Sequence, residues 1–228
     1  MGTRSRLTRL SAIAAGLALS ASTAFAQVDD APVRIVSSHA VADDAAPIGG
    51  SASPAHRMHL SLAVMAGTGW RIEEVLEAAK RAAGILAQCA IRTSIELHEF
   101  DGPKRYRSLF TPMSRDLAKH LALPKPAIFF VADTLNRPAF DAEAVGRGNS
   151  RTRPEMADTV WIVSGARDLP VVIAHELAHV LADSGGHSSE TGNLMREETA
   201  QGASQLTLAQ CESIVKTGSA NGLLQPQN

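Results

Sequence analysis

The stretch HELAHVLADSGGHSSETGNLM, residues 175–195, decides how the rest of this chain is interpreted. It opens with the pattern H-E-x-x-H. Residues four apart on a helix lie one above the other, about 6 Å apart, so His175 and His179 can share one Zn²⁺ ion. Glu176 is offset by one position, so it is expected to reach a water on that ion rather than the ion itself. The pattern therefore predicts a zinc site with Glu176 as general base.

The flanking residues predict that this pattern lies on a helix. Asp168 precedes Pro170, an arrangement typical of a helix start with a polar cap and Pro in the first turn. Gly185 and Gly186 are expected to end the helix. An apolar face runs between these limits, formed by Val172, Ile173, Leu177, Val180 and Leu181.

A hydrolytic zinc ion takes three protein ligands and keeps one position open. His187 lies eight residues after His179, beyond the two glycines, and Met195 follows shortly afterwards. This order resembles the metzincin metalloproteases, whose signature is H-E-x-x-H-x-x-G-x-x-H with a later Met-turn. The resemblance implies that His175, His179 and His187 bind zinc and that Met195 forms a hydrophobic floor beneath it.

The spacing departs from the metzincin signature, which leaves the third ligand open. Ala182 and Gly185 stand where that family has its glycine and its third histidine. A turn lengthened by two residues would deliver His187 instead. Asp183 is one alternative ligand. Glu198 is another, because its spacing resembles the gluzincin metallopeptidases.

Residues 1–26 are typical of a secretory signal. Arg4, Arg6 and Arg9 precede an Ala-rich apolar run, and Ala24-Phe25-Ala26 matches a small-x-small cleavage site. The mature chain is therefore expected in the periplasm or the medium, without a membrane anchor. Cleavage of the signal would remove these three arginines, so the mature chain would have 19 of the 22 Lys and Arg and all 23 Asp and Glu. A net charge of −4 does not favour nucleic acid as a partner.

The chain has two cysteines, Cys89 and Cys211. Export to an oxidising compartment predicts one disulfide between them.

Residues 27–56 are rich in Ala, Asp, Ser, Pro and Gly and predict an N-terminal extension or a short pro-segment. Residues 57–228 are long enough for one catalytic domain, expected to be a monomer.

Apolar periodicity places the regular elements of this domain. Strands are predicted near residues 59–64, 93–100, 126–132 and 158–164, of which 126–132 should be buried on both faces. Helices are predicted over 70–88, from Thr111 up to Pro124, and over about 208–217, the last with a Thr207–Gln210 capping box. Residues 221–228 are expected to fray.

The metzincin resemblance implies an α+β zincin-like fold. Its parts are a twisted mixed sheet of about five strands, a long backing helix, an active-site helix and a small C-terminal subdomain ending in a helix. It also implies that Ala144, Val145 and Gly146 form an antiparallel edge strand that aligns the substrate. An extended peptide can add to such an edge through backbone hydrogen bonds.

These patterns together predict an exported zinc metalloendopeptidase acting on protein or peptide substrates. One Zn²⁺ ion is the expected cofactor, and no covalent intermediate is needed. The alternative from another class is an exported binding protein that keeps the zincin fold without cleaving.

Overall fold

The structure is a computed structural model, and it describes most of the predicted catalytic domain. The described residues are 31–41, 55–109, 111–134, 144–147, 154–197 and 202–227. The predicted signal at 1–26 and the alternative ligand Glu198 lie outside these ranges.

The described residues contain nine strands and four α-helices. The strands are β1 (Arg34–Val41), β2 (His56–Met65), β3 (Ile91–Asp101), β4 (Ser108–Leu109), β5 (Ala127–Val131), β6 (Asp133–Thr134), β7 (Ala144–Arg147), β8 (Thr159–Val163) and β9 (Gln225–Pro226). The helices are α1 (Ile72–Leu86), α2 (Thr111–Leu121), α3 (Leu169–Ala182) and α4 (Leu208–Ala220).

The main sheet is mixed, with strand order β1-β3-β2-β5-β8-β7. Strands β3, β2, β5 and β8 are parallel, and the two edge strands β1 and β7 are antiparallel to their neighbours. The strand predicted near residues 59–64, the helix predicted over 70–88 and the strand predicted near 93–100 correspond to β2, α1 and β3, and β2 pairs in parallel with β3. The six strands on this path exceed the expected five because β1, from the predicted extension, pairs along β3.

Apolar side chains cover both faces of the sheet, and β5 shows why. Ile128 and Phe130 pack into the core shared with α1, α3 and α4. Ala127, Phe129 and Val131 point to the opposite core, which α2 covers. All five side chains are inaccessible to solvent, which confirms that this strand is covered on both sides.

The C-terminal helix α4 begins as predicted and ends later. The Thr207 hydroxyl and the Gln210 side chain form the capping box. The helix continues through Gly218, which packs against Leu224, and the chain turns at Gly222 with φ of +75°. The expectation of a frayed tail is wrong, because Leu223 and Leu224 are buried and β9 pairs with the start of β2.

Cys89 and Cys211 form the predicted disulfide, which joins the turn after α1 to the first turn of α4. Their Cα atoms are 4.9 Å apart. Among the described residues, none of the helices has the length and apolar character that crossing a bilayer requires.

Candidate metal centre

Helix α3 follows β8 after a short turn and carries the H-E-x-x-H pattern. The helix packs against α1 and α4, and the backbone of β7 runs close to it. Asp168 is the residue before the helix, but its side chain makes no capping hydrogen bond, contrary to expectation. Its backbone is left-handed, with φ of 52°, which turns the side chain away from the position of an ordinary N-cap.

The helix ends at Ala182, three residues before the glycines expected to end it. Asp183 adopts a left-handed backbone with φ of 46°, and its N–H donates to the carbonyls of His179 and Val180. Aspartate tolerates this conformation better than most residues, so it closes the helix in place of glycine. The chain then turns back over the last turn of α3.

Three imidazole rings meet at this turn. The Nε2 atom of His179 lies 2.9 Å from that of His175 and 3.2 Å from that of His187. His175 is buried, His179 is half-buried and His187 is exposed. Within the described residues, these three form the group of His, Cys, Asp and Glu side chains arranged to hold a metal ion. Asp183, the alternative ligand, is outside this group.

Hydrogen bonds to backbone carbonyls determine which ring nitrogens are free. His175 Nδ1 donates to the Leu194 carbonyl at 2.8 Å, and His179 Nδ1 donates to the Ser184 carbonyl at 2.6 Å. A carbonyl oxygen only accepts, so both Nδ1 atoms must carry the proton of a neutral ring. The Nε2 lone pairs then point at one another. A shared cation removes this repulsion.

The nitrogen separations fit a zinc ion. Zn–N bonds of about 2.0–2.1 Å in tetrahedral geometry place two ligand nitrogens about 3.3 Å apart. The observed separations of 2.9 and 3.2 Å are close to that value. The His175 and His179 rings are also held by their second nitrogens, as is usual for metal-binding histidines.

Burial keeps the two helical imidazoles neutral. Desolvation lowers the pKa of His175 from 6.5 to about 4, against an opposing hydrogen bond to the Leu194 carbonyl. Desolvation also lowers the pKa of His179. Neutral imidazole is the form that binds metal, so these two rings need little deprotonation at neutral pH.

Glu176 and Met195 lie in the parts of the chain that form this centre. Glu176 is half-buried on α3, one position after His175. Met195 is 7% exposed and follows directly on Leu194, whose carbonyl holds His175. Met195 also lines a cavity of about 110 Å³ between α3 and α4. The roles given to both residues stay predictions.

Strand β7 pairs antiparallel with β8 through Ala144, Val145 and Gly146. Among the strands that the structure describes, it is the last one on this side of the sheet, the edge position that the metzincin resemblance implies. Because α3 lies close to β7, an extended chain added to this edge would run near the helix with the histidines. That a substrate binds there stays a prediction.

Sequence reasoning missed two residues behind the centre, Asn193 and Gln210. Their side-chain amides bond to each other, 17 positions apart in sequence. Gln210 is recognisable in the capping box, and Asn193 stands two residues before Met195. Neither local pattern indicates that the two meet.

Comparisons with known proteins support the fold. No family model and no curated protein matches this chain. The crystal structure of metalloproteinase-II from Bacteroides fragilis is similar at a TM-score of 0.51 and 13% identity, covering 74% of this chain and 55% of that one. A structure of a chaperone-substrate complex is similar at a TM-score of 0.50 and 9% identity, covering 75% and 36%.

At these identities the likeness is one of fold. The chain is thus an α+β protein with a mixed sheet whose architecture is similar to that of a metalloproteinase. It spans little more than half of that protein and about a third of the chain in the complex.

Proposed function

We propose that this chain is an exported zinc-dependent endopeptidase of the metzincin type. One observation carries the proposal: three histidine Nε2 atoms converge, and the rings of His175 and His179 are held by backbone carbonyls. Glu176 follows His175 on the same helix. The similarity of fold to a metalloproteinase supports it. The edge strand β7 beside α3 supports it further.

The donor set favours zinc over the other common metal ions. Ca²⁺ and Mg²⁺ prefer oxygen ligands, whereas Zn²⁺ binds imidazole nitrogen readily in tetrahedral sites. His175, His179 and His187 would supply three neutral ligands and leave the fourth position open. His187 is exposed, so solvent reaches the centre from its side.

Glu176 supplies the proton transfers in this proposal. A zinc ion held there would polarise a peptide carbonyl and lower the pKa of a bound water to about 7. The Glu176 carboxylate accepts a proton from the attacking water and then gives it to the leaving amine. Backbone groups of β7 hold the peptide as an added strand.

The disulfide supports export, because exported proteins keep such bonds oxidised. Together with the signal predicted at residues 1–26, it supports our proposal that the mature protein acts in the periplasm or the medium. We propose residues 57–228 as the catalytic domain. Strand β1 joins the same sheet at the edge opposite β7.

The first experiment combines metal analysis with casein or gelatin hydrolysis, in the presence and absence of a chelator. We expect about one zinc ion per chain and a hydrolysis that the chelator abolishes and added zinc restores. Zinc without hydrolysis would favour the alternative, an exported zincin-fold binding protein. Hydrolysis that survives chelation would contradict the proposal.

A second experiment identifies the third ligand. We expect His187→Ala to lose most of its zinc and Glu198→Ala to keep it. The control is His120→Ala, which removes an exposed imidazole on α2 and should retain zinc. The reverse pattern would support the gluzincin alternative.

A further inference from the structure

A pair of side-chain amides, Asn193 and the half-buried Gln210, lies behind the candidate metal centre, on the side of the terminal helix. Asn193 is 3% exposed, and its Nδ2 donates to Gln210 Oε1 at 3.0 Å. Gln210 Nε2 donates back to Asn193 Oδ1 at 3.1 Å. The two side chains thus form a closed reciprocal pair between the turn before Met195 and the first turn of α4.

Backbone donors fix the orientation of both amides. The Thr207 N–H donates to Gln210 Oε1 at 2.8 Å, and the Met195 N–H donates to Asn193 Oδ1 at 2.8 Å. A backbone N–H only donates, so each amide must present its oxygen there. Flipping either amide would place two donors together and break the reciprocal pair. The pair therefore has one satisfied arrangement.

Asn193 accepts a hydrogen bond from a peptide group that also accepts one from His175, a predicted metal ligand. The Leu194–Met195 peptide carries the N–H bound by Asn193 and the C=O that accepts from His175 Nδ1. These two groups lie in one rigid plane and point in opposite directions. If this plane rotates, both hydrogen bonds are lost, so the Asn193 side chain controls the orientation of the His175 ring.

The same turn contacts the other side of the centre. The Met195 carbonyl accepts from the Ser188 N–H at 2.6 Å, directly after His187. The Leu194 N–H donates to the Gln205 carbonyl at 2.7 Å. Cys211, the residue after Gln210, forms the disulfide with Cys89, which joins this end of α4 to the turn after α1. The amide pair thus links a covalently anchored helix to the histidine cluster.

From this geometry we propose that Asn193 and Gln210 are positioning residues for the metal centre, setting zinc affinity through the Leu194 carbonyl and the His175 ring. The inference rests on the proposed function and names two residues that support it. Residues that orient a ligand in this way typically contribute 10- to 100-fold to metal affinity.

The decisive variant is Gln210→Glu. A glutamate at this position still accepts from the Thr207 N–H, so the capping box of α4 is kept. Its second oxygen faces Asn193 Oδ1 in place of a donor, so the reciprocal pair is broken. The added negative charge by itself would favour cation binding. A loss of affinity must therefore come from positioning.

Zinc affinity of the metal-free full-length protein is measured with zinc ions alone, by competition with a chromophoric chelator. We expect Gln210→Glu to raise the dissociation constant by about 10-fold or more, and Asn193→Ala to raise it further. The d–d absorption of the Co²⁺-loaded variants should also differ from that of the wild type. The matched control is Thr207→Ala, which weakens the cap of α4 but leaves the amide pair, and should bind zinc with nearly wild-type affinity.

The outcomes separate this inference from the proposed function. Wild-type affinity in Gln210→Glu, or an equal loss in Thr207→Ala, would overturn the positioning role even if the protein cleaves peptides. A wild-type chain that binds zinc but cleaves nothing would overturn the endopeptidase, while the affinities of the variants still decide the role of the pair. A wild-type chain that binds no zinc would overturn both.

Discussion

Reduction of the Cys89–Cys211 disulfide is expected to cost a large part of the stability of this domain. The two cysteines are separated by 122 positions, so the bond closes a long loop in the unfolded chain. The chain-entropy relation gives about 5 kcal/mol for a loop of this length, and removal of native disulfides typically costs about 2–5 kcal/mol. We therefore expect the free energy of unfolding to fall by about 2–5 kcal/mol.

The loss should be largest at helix α4. Cys211 lies in its first turn, next to Gln210, and Cys89 lies beside Gln88 in the turn after α1. Gln88 Nε2 donates to the Ser204 carbonyl at 2.7 Å, so the same region also holds the segment before α4. Reduction removes the covalent link and leaves this hydrogen bond as a weaker anchor. Hydrogen-exchange protection should therefore fall first in α4.

The assay is urea denaturation of the zinc-free protein at pH 7.5, with and without a phosphine reductant that does not bind zinc. The control is the double variant Cys89→Ala, Cys211→Ala, whose stability should not respond to the reductant. A loss below about 1 kcal/mol in the wild type would refute the loop-entropy argument. An equal response in the double variant would show that the reductant acts elsewhere.

Three further predictions follow from individual side chains. Glu176→Gln should retain zinc while kcat for peptide hydrolysis falls by about 10²- to 10⁴-fold, and loss of zinc together with activity would mean that Glu176 is structural. Acidification should destabilise the zinc-free protein. Burial lowers the pKa of His175 from 6.5 to about 4, so between these pH values the imidazole is protonated in the unfolded chain but not in the folded one. About 3 kcal/mol of stability is therefore lost as the pH falls from 6.5 to 4. Urea titrations across this range should show a steeper loss for the wild type than for His175→Gln, and equal slopes would contradict the assignment. Gly218→Ala should destabilise the domain because the new Cβ would lie 3.0 Å from the Leu224 side chain. Overpacking of this kind costs about 1–3 kcal/mol of stability. The gain in helix propensity from replacing glycine is only up to about 1 kcal/mol. A variant more stable than the wild type in thermal unfolding would refute this.

Local patterns predicted much of the fold and the first part of the site. The i, i+4 spacing of His175 and His179 depends only on helix geometry, and α3 places the two rings as that spacing predicts. The capping box of α4 joins residues three apart, and the buried run of β5 is continuous in sequence, so both were predictable. The disulfide was predicted from two cysteines in a chain whose N-terminal pattern predicts export.

Predictions were wrong or incomplete where tertiary packing outweighs local preference. Strand β1 has an exposed, weakly alternating sequence and exists because the edge of β3 is available to it. The C-terminal tail is ordered by burial of Leu223 and Leu224. Asp183 ends α3 in place of the glycines. The turn at this residue places the Ser184 carbonyl where it accepts a hydrogen bond from His179 Nδ1, a contact that no local pattern indicates.

The sequence by itself determined the helix of the H-E-x-x-H pattern, the strand positions and the cysteine pair, because each depends on spacing within a few residues or on a residue count. Only the tertiary structure decided that His187 joins His175 and His179, and that Asn193 and Gln210 hold the peptide behind them. Such contacts depend on the path of loops between elements. That path is set by the summed packing of the domain, which no short pattern contains.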